Sequence, residues 1–314
     1  MTTFGLQIPG FAHAGSPDIE MFDRTLEHAQ AAERSGFTSV WVMDHFWQLP
    51  PLGGPDAPIL EGYTTLAALA ARTESVKLGT LVTGVTYRNP ALLAKIVTTL
   101  DVISHGRAIL GIGAAWYEPE HDGLGFAFPG AKERLDRLEE AVQICRAMLR
   151  DERPTFEGRY YTVRDARNVP APVQPGGVPI MIGGSGEKRT LKLVAQYADM
   201  CNVTGGPDTL RHKLDVLRGH CDAVGRDRRD ITTTRMGTLM LAADADEAAQ
   251  TRAFLLDAAG AEMTEQFTVG TADEVVKDVE QLVATGVDCL IFNMPLTDAG
   301  NVARAGELLT SNFA

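Results

Sequence analysis

The chain has 314 residues, of which 45% are hydrophobic and 22% charged, enough apolar material for the core of one large α/β domain or two smaller ones. Its formal net charge of −12 argues against nucleic acid or an anionic membrane surface as a partner. Its four cysteines form no Cys-x-x-Cys pair, so we expect buried thiols in a reducing compartment. We find neither a signal peptide nor an apolar run of about 20 residues, so we expect a soluble cytoplasmic protein.

Short apolar runs alternate with amphipathic stretches from one end of the chain to the other. The apolar runs predict eight strands, at 4–9, 39–44, 77–83, 108–114, 179–183, 200–203, 233–241 and 289–293. Helical patterns fall between them, at about 18–35, 62–74, 90–104, 131–150, 186–197, 208–224, 246–259, 271–285 and 298–311. Asn89 before Pro90 predicts one helix start, and Thr271 with Glu274 predicts a capping box at another.

Eight strands, each followed by at least one helix, predict an α/β protein with a (β/α)8 TIM-barrel fold, in a single domain over residues 1–314. An open, doubly wound sheet is the alternative, but no Gly-x-Gly-x-x-Gly turn follows the first strand. Residues from about 116 to 178 are too many for one βα unit, and 153–175 reads as a hairpin with a proline-rich return. We therefore predict an insertion at 116–178 over the C-terminal face of the barrel.

The C-terminal ends of the strands are where such barrels place their chemistry. Small or hydrogen-bonding residues gather at these ends, namely Asp44-His45, Thr83-Gly84, Gly113-Ala114-Ala115, Gly183-Gly184-Ser185-Gly186 and Thr204. This pattern is expected if a flat ligand lies across the strand ends. Glycine and threonine are also common in loops, so no single end is decisive.

The stretch Ile182–Ala195 runs from a strand through a glycine turn directly into a helix. Free backbone N–H groups and the positive end of the helix dipole make such a turn an anion site, and we expect a phosphate there. Ser185 adds a hydroxyl donor, while Lys188 and Arg189 add positive charge. A tight glycine turn with solvated basic side chains is the alternative.

The pair Asp44-His45 closes an apolar strand, so its histidine is expected at the mouth of the barrel. A histidine there can exchange a proton near neutral pH, although a packed or capping histidine is the alternative. The remaining histidines show no ligand spacing with one another or with the carboxylates, so we expect no metal site. Neither a Gly-x-Ser-x-Gly elbow nor a Walker A loop supports hydrolytic or nucleoside-triphosphate chemistry.

Several stretches, in the same order along nearly the whole chain, resemble the luciferase-like monooxygenase superfamily. They are DHFWQLP, LEGYTTLAALA, LGTLVTGVTYRNPALLAKIVTTLDVISHGRAILGIGAAWYEPEH, ERPTFEGRYYTV and IGGSGEKRTLKLVAQYAD. The resemblance is nearest to the branch of oxidoreductases that use the deazaflavin coenzyme F420. It implies the (β/α)8 fold that the strand count indicates separately, and frequently a homodimer.

The resemblance also implies roles for particular positions. Asp44-His45 matches a pair whose histidine faces the deazaflavin ring and donates or accepts a proton, and Leu81-Val82 matches a non-prolyl cis peptide that supports the ring from behind. By the same resemblance, Thr83 hydrogen-bonds near the ring or its ribityl chain. Gly113-Ala114-Ala115 lets that chain approach the backbone, and Gly183 to Gly186 holds the phosphate.

One position departs from the pattern. In the sugar-phosphate dehydrogenases of this branch a catalytic glutamate stands where this chain has Trp116, and Glu118 and Glu120 are not in register with it. We therefore expect a substrate other than a sugar phosphate. The aromatic residues expected to line an apolar substrate pocket, with core packing as the equal alternative for each, are Phe11, Trp47, Tyr63, Trp116 and Tyr117.

These observations lead to the hypothesis of an F420-dependent oxidoreductase in which His45 handles the proton while a hydride passes between the coenzyme and a small molecule. An FMN-dependent monooxygenase of the same fold is the first alternative, since both coenzymes carry one phosphate. Lys188 and Arg189, beyond the phosphate turn, favour F420 because that coenzyme continues into lactate and glutamates. A non-catalytic flavin-binding protein is the second alternative, and it predicts a degraded His45 position or glycine turn.

Overall fold

The computed structural model describes residues 2–11, 17–150, 153–259, 264–295 and 297–313. Its strands are β1 (Thr3–Ile8), β2 (Ser39–Val42), β3 (Lys77–Thr80), β4 (Thr83–Gly84), β5 (Ala108–Gly113), β6 (Phe156–Glu157), β7 (Thr162–Val163), β8 (Ile180–Gly183), β9 (Met200–Val203), β10 (Thr232–Leu241), β11 (Phe267–Gly270) and β12 (Cys289–Asn293). Its α-helices are α1 (Met21–Arg34), α2 (Gly62–Ala70), α3 (Pro90–Ile103), α4 (Glu118–Leu124), α5 (Ala131–Leu149), α6 (Thr190–Tyr197), α7 (Pro207–Val224), α8 (Ala245–Ala259), α9 (Ala272–Val283) and α10 (Ala299–Phe313).

Eight parallel strands close into a barrel, in the order β1, β2, β3, β5, β8, β9, β10 and β12, and β12 returns to pair with β1. Helices lie between the strands along the chain, so the predicted (β/α)8 fold is confirmed. The predicted caps are also present: the Asn89 side chain accepts the Ala91 N–H at 2.9 Å, and Thr271 and Glu274 form the capping box.

The interior of the barrel contains its own apolar cluster, formed by Trp41, Ile109, Met181, Cys289 and Ile291. Trp41 is 1% exposed and fits because its neighbour on β3 is glycine: a Cβ on Gly79 would lie 2.7 Å from the indole ring. The larger core lies between the outer faces of the strands and the helices. The barrel is therefore a packed scaffold whose open end carries the polar residues.

Three features of the structure go beyond the sequence prediction. The run predicted at 77–83 divides into β3 and β4, β11 pairs with the second half of β10 outside the eight-strand ring, and α4 follows β5. Each is short, between two and seven residues, and none has the periodicity of a full element. Among the described residues, no helix is long and apolar enough to cross a membrane.

The insertion begins at the C-terminal face and then leaves it. Helix α4 approaches the end of β2, where Glu120 meets the backbone of Phe46 and Trp47. Helix α5 and the β6–β7 hairpin follow. The chain then returns along α3 to the C-terminal end of that helix, where the Val173 N–H donates to Asp101 at 2.8 Å. The part of the insertion that contributes to the site is therefore its start, namely α4 and the two residues before it, Trp116 and Tyr117.

Candidate active site

His45 lies just beyond the end of β2, with its side chain 12% exposed. Its Nδ1 lies 3.1 Å from Oε2 of Glu120, a carboxylate on α4 that is completely buried. The rings of Trp116 and Tyr117 meet the imidazole edge-on, with ring centres 5.6 and 5.8 Å away. Nδ1 of His45 is thus hydrogen-bonded to a carboxylate, while its Nε2 bonds to no residue in the described part of the chain.

Glu120 accepts four hydrogen bonds. Its Oε1 accepts the backbone N–H groups of Phe46 and Trp47, the latter at 2.7 Å, and its Oε2 accepts the Tyr87 hydroxyl as well as contacting His45. Burial alone would raise the pKa of this carboxyl, but the hydrogen bonds together hold the pKa below its ordinary value. Glu120 is therefore ionised at neutral pH, in a site from which water is excluded.

Asp44, the neighbour of His45, points into a separate ionic network. Arg88 donates to both Asp44 oxygens, at 2.8 and 3.0 Å, and to Glu61 at 2.8 Å, and the Gly84 N–H donates to Asp44 at 3.2 Å. Although burial opposes it, the Asp44 carboxylate raises the pKa of the Arg88 guanidinium, which stays charged. This network joins the ends of β2 and β4 to the start of α2, where Glu61 is the N-cap.

A hydroxyl cluster lies beneath this network. The Tyr63 hydroxyl is 2.6 Å from Thr83 Oγ1, which is 2.7 Å from Thr80 Oγ1, and Arg88 lies over the Tyr63 ring at 4.8 Å. Burial raises the pKa of Tyr63, so its hydroxyl stays protonated. Thr83 is fully buried and its hydroxyl is engaged within the protein, so a coenzyme contact through Thr83 stays a prediction.

The Leu81–Val82 peptide bond is cis, at the position where the resemblance places such a bond. Gln7 on β1 donates to the Leu81 carbonyl at 3.3 Å. A Cβ on Gly113 or on Gly183 would lie 2.8 Å from a Val82 methyl, so these two glycines make room for Val82. Gly113 therefore contributes by admitting the Val82 side chain, a packing reason that the sequence analysis did not give.

The glycine turn joins β8 to α6. Gly184 has a φ of +126°, and a Cβ on Gly186 would lie 2.9 Å from Thr190 Oγ1, so both positions favour glycine. Neither Ser185 nor Gly186 donates its N–H to any described residue, whereas the Ser185 hydroxyl accepts the Thr204 N–H at 3.4 Å. The turn thus offers backbone donors for an anion, although α6 begins only at Thr190 and not at residue 186 as predicted.

A cleft of about 510 Å³ opens beside this turn, lined by residues from Ser185 to Thr190 with Leu135 and Lys213. Arg189 is bound to Asp136 at 2.7 Å, so its charge is neutralised by α5. Lys188 is exposed, and Lys213 contacts Glu187 at 2.5 Å. Lys213 is thus paired with Glu187 as Arg189 is with Asp136, and of the two basic residues that the sequence analysis named, Lys188 keeps its charge exposed at the cleft.

The five predicted pocket aromatics separate in the structure. Trp116, which is 62% exposed, and Tyr117 flank His45, and Trp47 lies close by against α4. Tyr63 belongs to the hydroxyl cluster, and Phe11 is fully buried in the large apolar core. Ala115, between the strand end and Trp116, has a φ of +59°, and the Ala114 carbonyl accepts from Arg134 at 3.1 Å.

The sequence analysis did not select Glu120, Tyr87 or Arg88 for the site. Glu120 was set aside because it is out of register with the family's glutamate, yet the turn of α4 brings it against His45. Its spacing of three to four residues after Trp116 and Tyr117 was the available signal. Within the described residues, no group of His, Cys, Asp or Glu side chains could hold a metal ion.

Comparison with known proteins places this chain in a family. A sequence profile of luciferase-like monooxygenases matches residues 2–266. An F420-dependent glucose-6-phosphate dehydrogenase from Kineococcus radiotolerans is 36% identical over 212 residues, which cover 66% of this chain and 61% of that protein. A protein of the same name from Segniliparus rotundus is 30% identical over 302 residues, covering 86% of this chain and 87% of its own.

A solved structure of an F420-dependent secondary alcohol dehydrogenase, in complex with an F420–acetone adduct, has the same fold. It superposes with a TM-score of 0.82 at 22% identity and covers 100% of this chain and 98% of its own. In the Kineococcus comparison, by contrast, the chain spans about three fifths of the relative's length.

Proposed function

This chain belongs to the luciferase-like monooxygenase family, and on that premise we propose that it is an oxidoreductase that uses the deazaflavin coenzyme F420. Its substrate is a small organic molecule that gains or loses a hydride. The relatives that are 30 and 36% identical are both named as F420-dependent dehydrogenases, which supports this coenzyme over FMN. The observation that carries the proposal is the position of His45, with Nε2 unbonded, at the barrel end that also presents the glycine turn.

The residues present fit such a coenzyme. The glycine turn at Gly183–Gly186 has unengaged N–H groups for a phosphate, and the cleft beside it continues past Lys188 and Lys213. Val82, seated between Gly113 and Gly183, would support the ring from behind. We propose Asp44, Leu81, Thr83, Ala114, Ala115, Ser185 and Thr204 as further contributors to the coenzyme site.

The chain's own part in the reaction is to orient the substrate and to handle a proton. When bound, the coenzyme would supply or accept a hydride at its C5. His45 would hold the substrate oxygen through Nε2 and take up or release the accompanying proton there. Trp116 and Tyr117, which flank the imidazole, would exclude water from that side of the substrate.

The substrate side of His45 is aromatic rather than basic. Arg88, which lies over Phe46 and Tyr63, is occupied by Asp44 and Glu61 and is not free to bind a phosphoryl group. Trp116, which is 62% exposed, presents a broad apolar surface at the mouth. We therefore propose a small alcohol or carbonyl compound without a phosphate, despite the sugar-phosphate activity in the relatives' names.

Titration of the apo-protein with F420 and, separately, with FMN tests the coenzyme assignment. Quenching of coenzyme fluorescence gives each dissociation constant, and the constant for F420 should be the smaller because the exposed Lys188 lies beyond the phosphate turn, where the acidic tail of F420 would continue. A smaller constant for FMN would contradict the proposal. Reduction of bound F420 by a panel of small alcohols, with glucose 6-phosphate included, then identifies the substrate class.

A further inference from the structure

We infer that Glu120 is a positioning residue that holds His45 with its proton on Nδ1, so that Nε2 faces the substrate and accepts the proton when an alcohol is oxidised. This inference rests on the proposed function. The sequence resemblance gave Glu120 no role, but four hydrogen-bonding groups surround its carboxylate in the structure.

The first step is the charge of Glu120. An ionised carboxylate accepts hydrogen bonds and donates none. The backbone N–H groups of Phe46 and Trp47 can only donate, and both donate to Glu120, as does the hydroxyl of Tyr87. The two backbone N–H groups hold Oε1 as an acceptor, and the hydrogen bonds together keep the pKa of Glu120 below its ordinary value although burial raises it. The surroundings therefore stabilise the carboxylate.

The second step is the state of His45. Its Nδ1, 3.1 Å from Oε2 of Glu120, must carry a hydrogen to bond with an acceptor-only oxygen. In the neutral ring the lone pair then lies on Nε2. The edge contacts with Trp116 and Tyr117 hold the plane of the ring, so the direction of this lone pair is set by the protein.

The third step is the transfer of the proton to His45. When an alcohol is oxidised, its C–H hydrogen leaves with the bonding electrons to the coenzyme, its O–H proton passes to Nε2, and a C=O double bond forms. His45 becomes an imidazolium 3.1 Å from the Glu120 carboxylate. Glu120 has no lysine or arginine ion pair among the described residues, so the imidazolium is its one charged partner there. The attraction between the two charges, which burial strengthens, offsets the cost of charging the partly buried ring.

The other charged groups nearby are already paired with one another. Arg88 is bound to Asp44 and Glu61, and Tyr87 donates its hydroxyl to Glu120. Burial and the neighbouring Glu120 carboxylate raise the pKa of Tyr87, so Tyr87 stays neutral. His121, the next residue on α4, is turned away to the Tyr117 carbonyl and the Thr86 hydroxyl. None of these groups competes for His45.

The variant Glu120→Gln tests the inference through the tautomer of His45. The glutamine carbonyl can still accept the N–H groups of Phe46 and Trp47, which turns its NH₂ group toward Nδ1. The neutral ring must then carry its hydrogen on Nε2. Nitrogen-15 NMR of labelled histidine, with the His45 signals assigned by comparison with His45→Ala, should show the hydrogen on Nδ1 in the wild type and on Nε2 in the variant. Alcohol turnover should fall by about 10²–10⁴, with the F420 dissociation constant within about tenfold.

Two matched variants complete the experiment. Glu118→Gln changes an exposed glutamate on the same helix and should leave the tautomer and turnover unchanged. Tyr87→Phe removes one donor but keeps the carboxylate, so the wild-type tautomer should persist and turnover should fall by less than about tenfold. A wild-type spectrum with the hydrogen on Nε2 would overturn the inference even if Glu120→Gln failed to fold.

The inference and the proposed function fail in different ways. If Glu120→Gln keeps the wild-type tautomer and turnover while His45→Ala is inactive, Glu120 has no positioning role and the proposed function stands. If His45→Ala is as active as the wild type, His45 is not the proton carrier, whatever its tautomer.

Discussion

Asp44 and His45 are adjacent in sequence, but their side chains enter different surroundings. Both lie just beyond the end of β2, where the Asp44 carboxylate contacts Arg88 and the His45 ring contacts Glu120. One residue is thereby held in a buried ionic network and its neighbour stays at the mouth of the barrel. A single dipeptide supplies both the support and the proposed proton carrier.

Replacing His45 with alanine should separate binding from turnover. The F420 dissociation constant should stay within about tenfold of the wild-type value, because the phosphate turn at Gly183–Gly186 is untouched. Turnover should fall by about 10²–10⁴, the usual contribution of a positioned acid or base. Steady-state kinetics with a coenzyme titration measure both quantities, and unchanged turnover would remove His45 from the mechanism.

At the scale of elements, α4 is what completes the site. It has seven residues, begins with Pro119 in its first turn and contains Gly123, so its sequence lacks the length and periodicity of a recognisable helix. Its start is set by the end of β5, and it brings Glu120 to His45. Helix α4 also packs against Trp47. The ring of Trp47 occupies the space that a side chain at position 123 would need.

Alanine at position 123 should therefore disturb the site. Alanine stabilises a helix by about 1 kcal/mol relative to glycine, but a Cβ on Gly123 would overlap the Trp47 ring and displace it. We expect Gly123→Ala to change the tryptophan emission and reduce turnover without a gain in stability. Gly219→Ala is the matched control: it is exposed on α7 with nothing near the new Cβ, so it should raise the free energy of unfolding by about 1 kcal/mol and leave turnover unchanged. Equal effects of the two variants would argue against this packing.

At the scale of the whole molecule, closure of the barrel brings together strand ends that are distant in the chain. His45, Val82, Glu120 and the turn at Gly183–Gly186 come from four different βα units. Hydrogen-bonded carboxylates tie several loops to this frame, as the half-buried Glu33 does when it accepts the N–H groups of Glu74, Ser75 and Val76. The homodimer, the single folding domain and the cytoplasmic location stay predictions, and sedimentation analysis would test the first of these.

These carboxylates predict how stability depends on pH. Burial raises the pKa of Glu33, Glu61 and Glu120, but their hydrogen bonds outweigh it and leave each pKa below the ordinary carboxyl value of 4.5. A pKa lowered by folding contributes stability that is present above the unfolded-state value and lost as pH falls through the folded-state value. We expect the free energy of unfolding to fall below about pH 4.5, as measured by urea denaturation. Glu33→Gln should flatten that acid limb and lower stability at pH 7, whereas Glu280→Gln, on the exposed face of α9, should do neither.

The sequence by itself determined the eight barrel strands, their helices and the strand ends that carry the polar residues, because apolar periodicity and caps are local properties of the chain. It also singled out His45 and the glycine turn, which stand beside recognisable strands. Only the tertiary structure decided which side chains contact one another at the site. Glu120 contacts His45, and Arg88 forms ion pairs with Asp44 and Glu61. Val82 packs between two glycines. These contacts depend on the closure of the barrel and the path of a short helix. The residues in contact are 27 to 101 positions apart in the chain, so no local sequence pattern predicts that they come together.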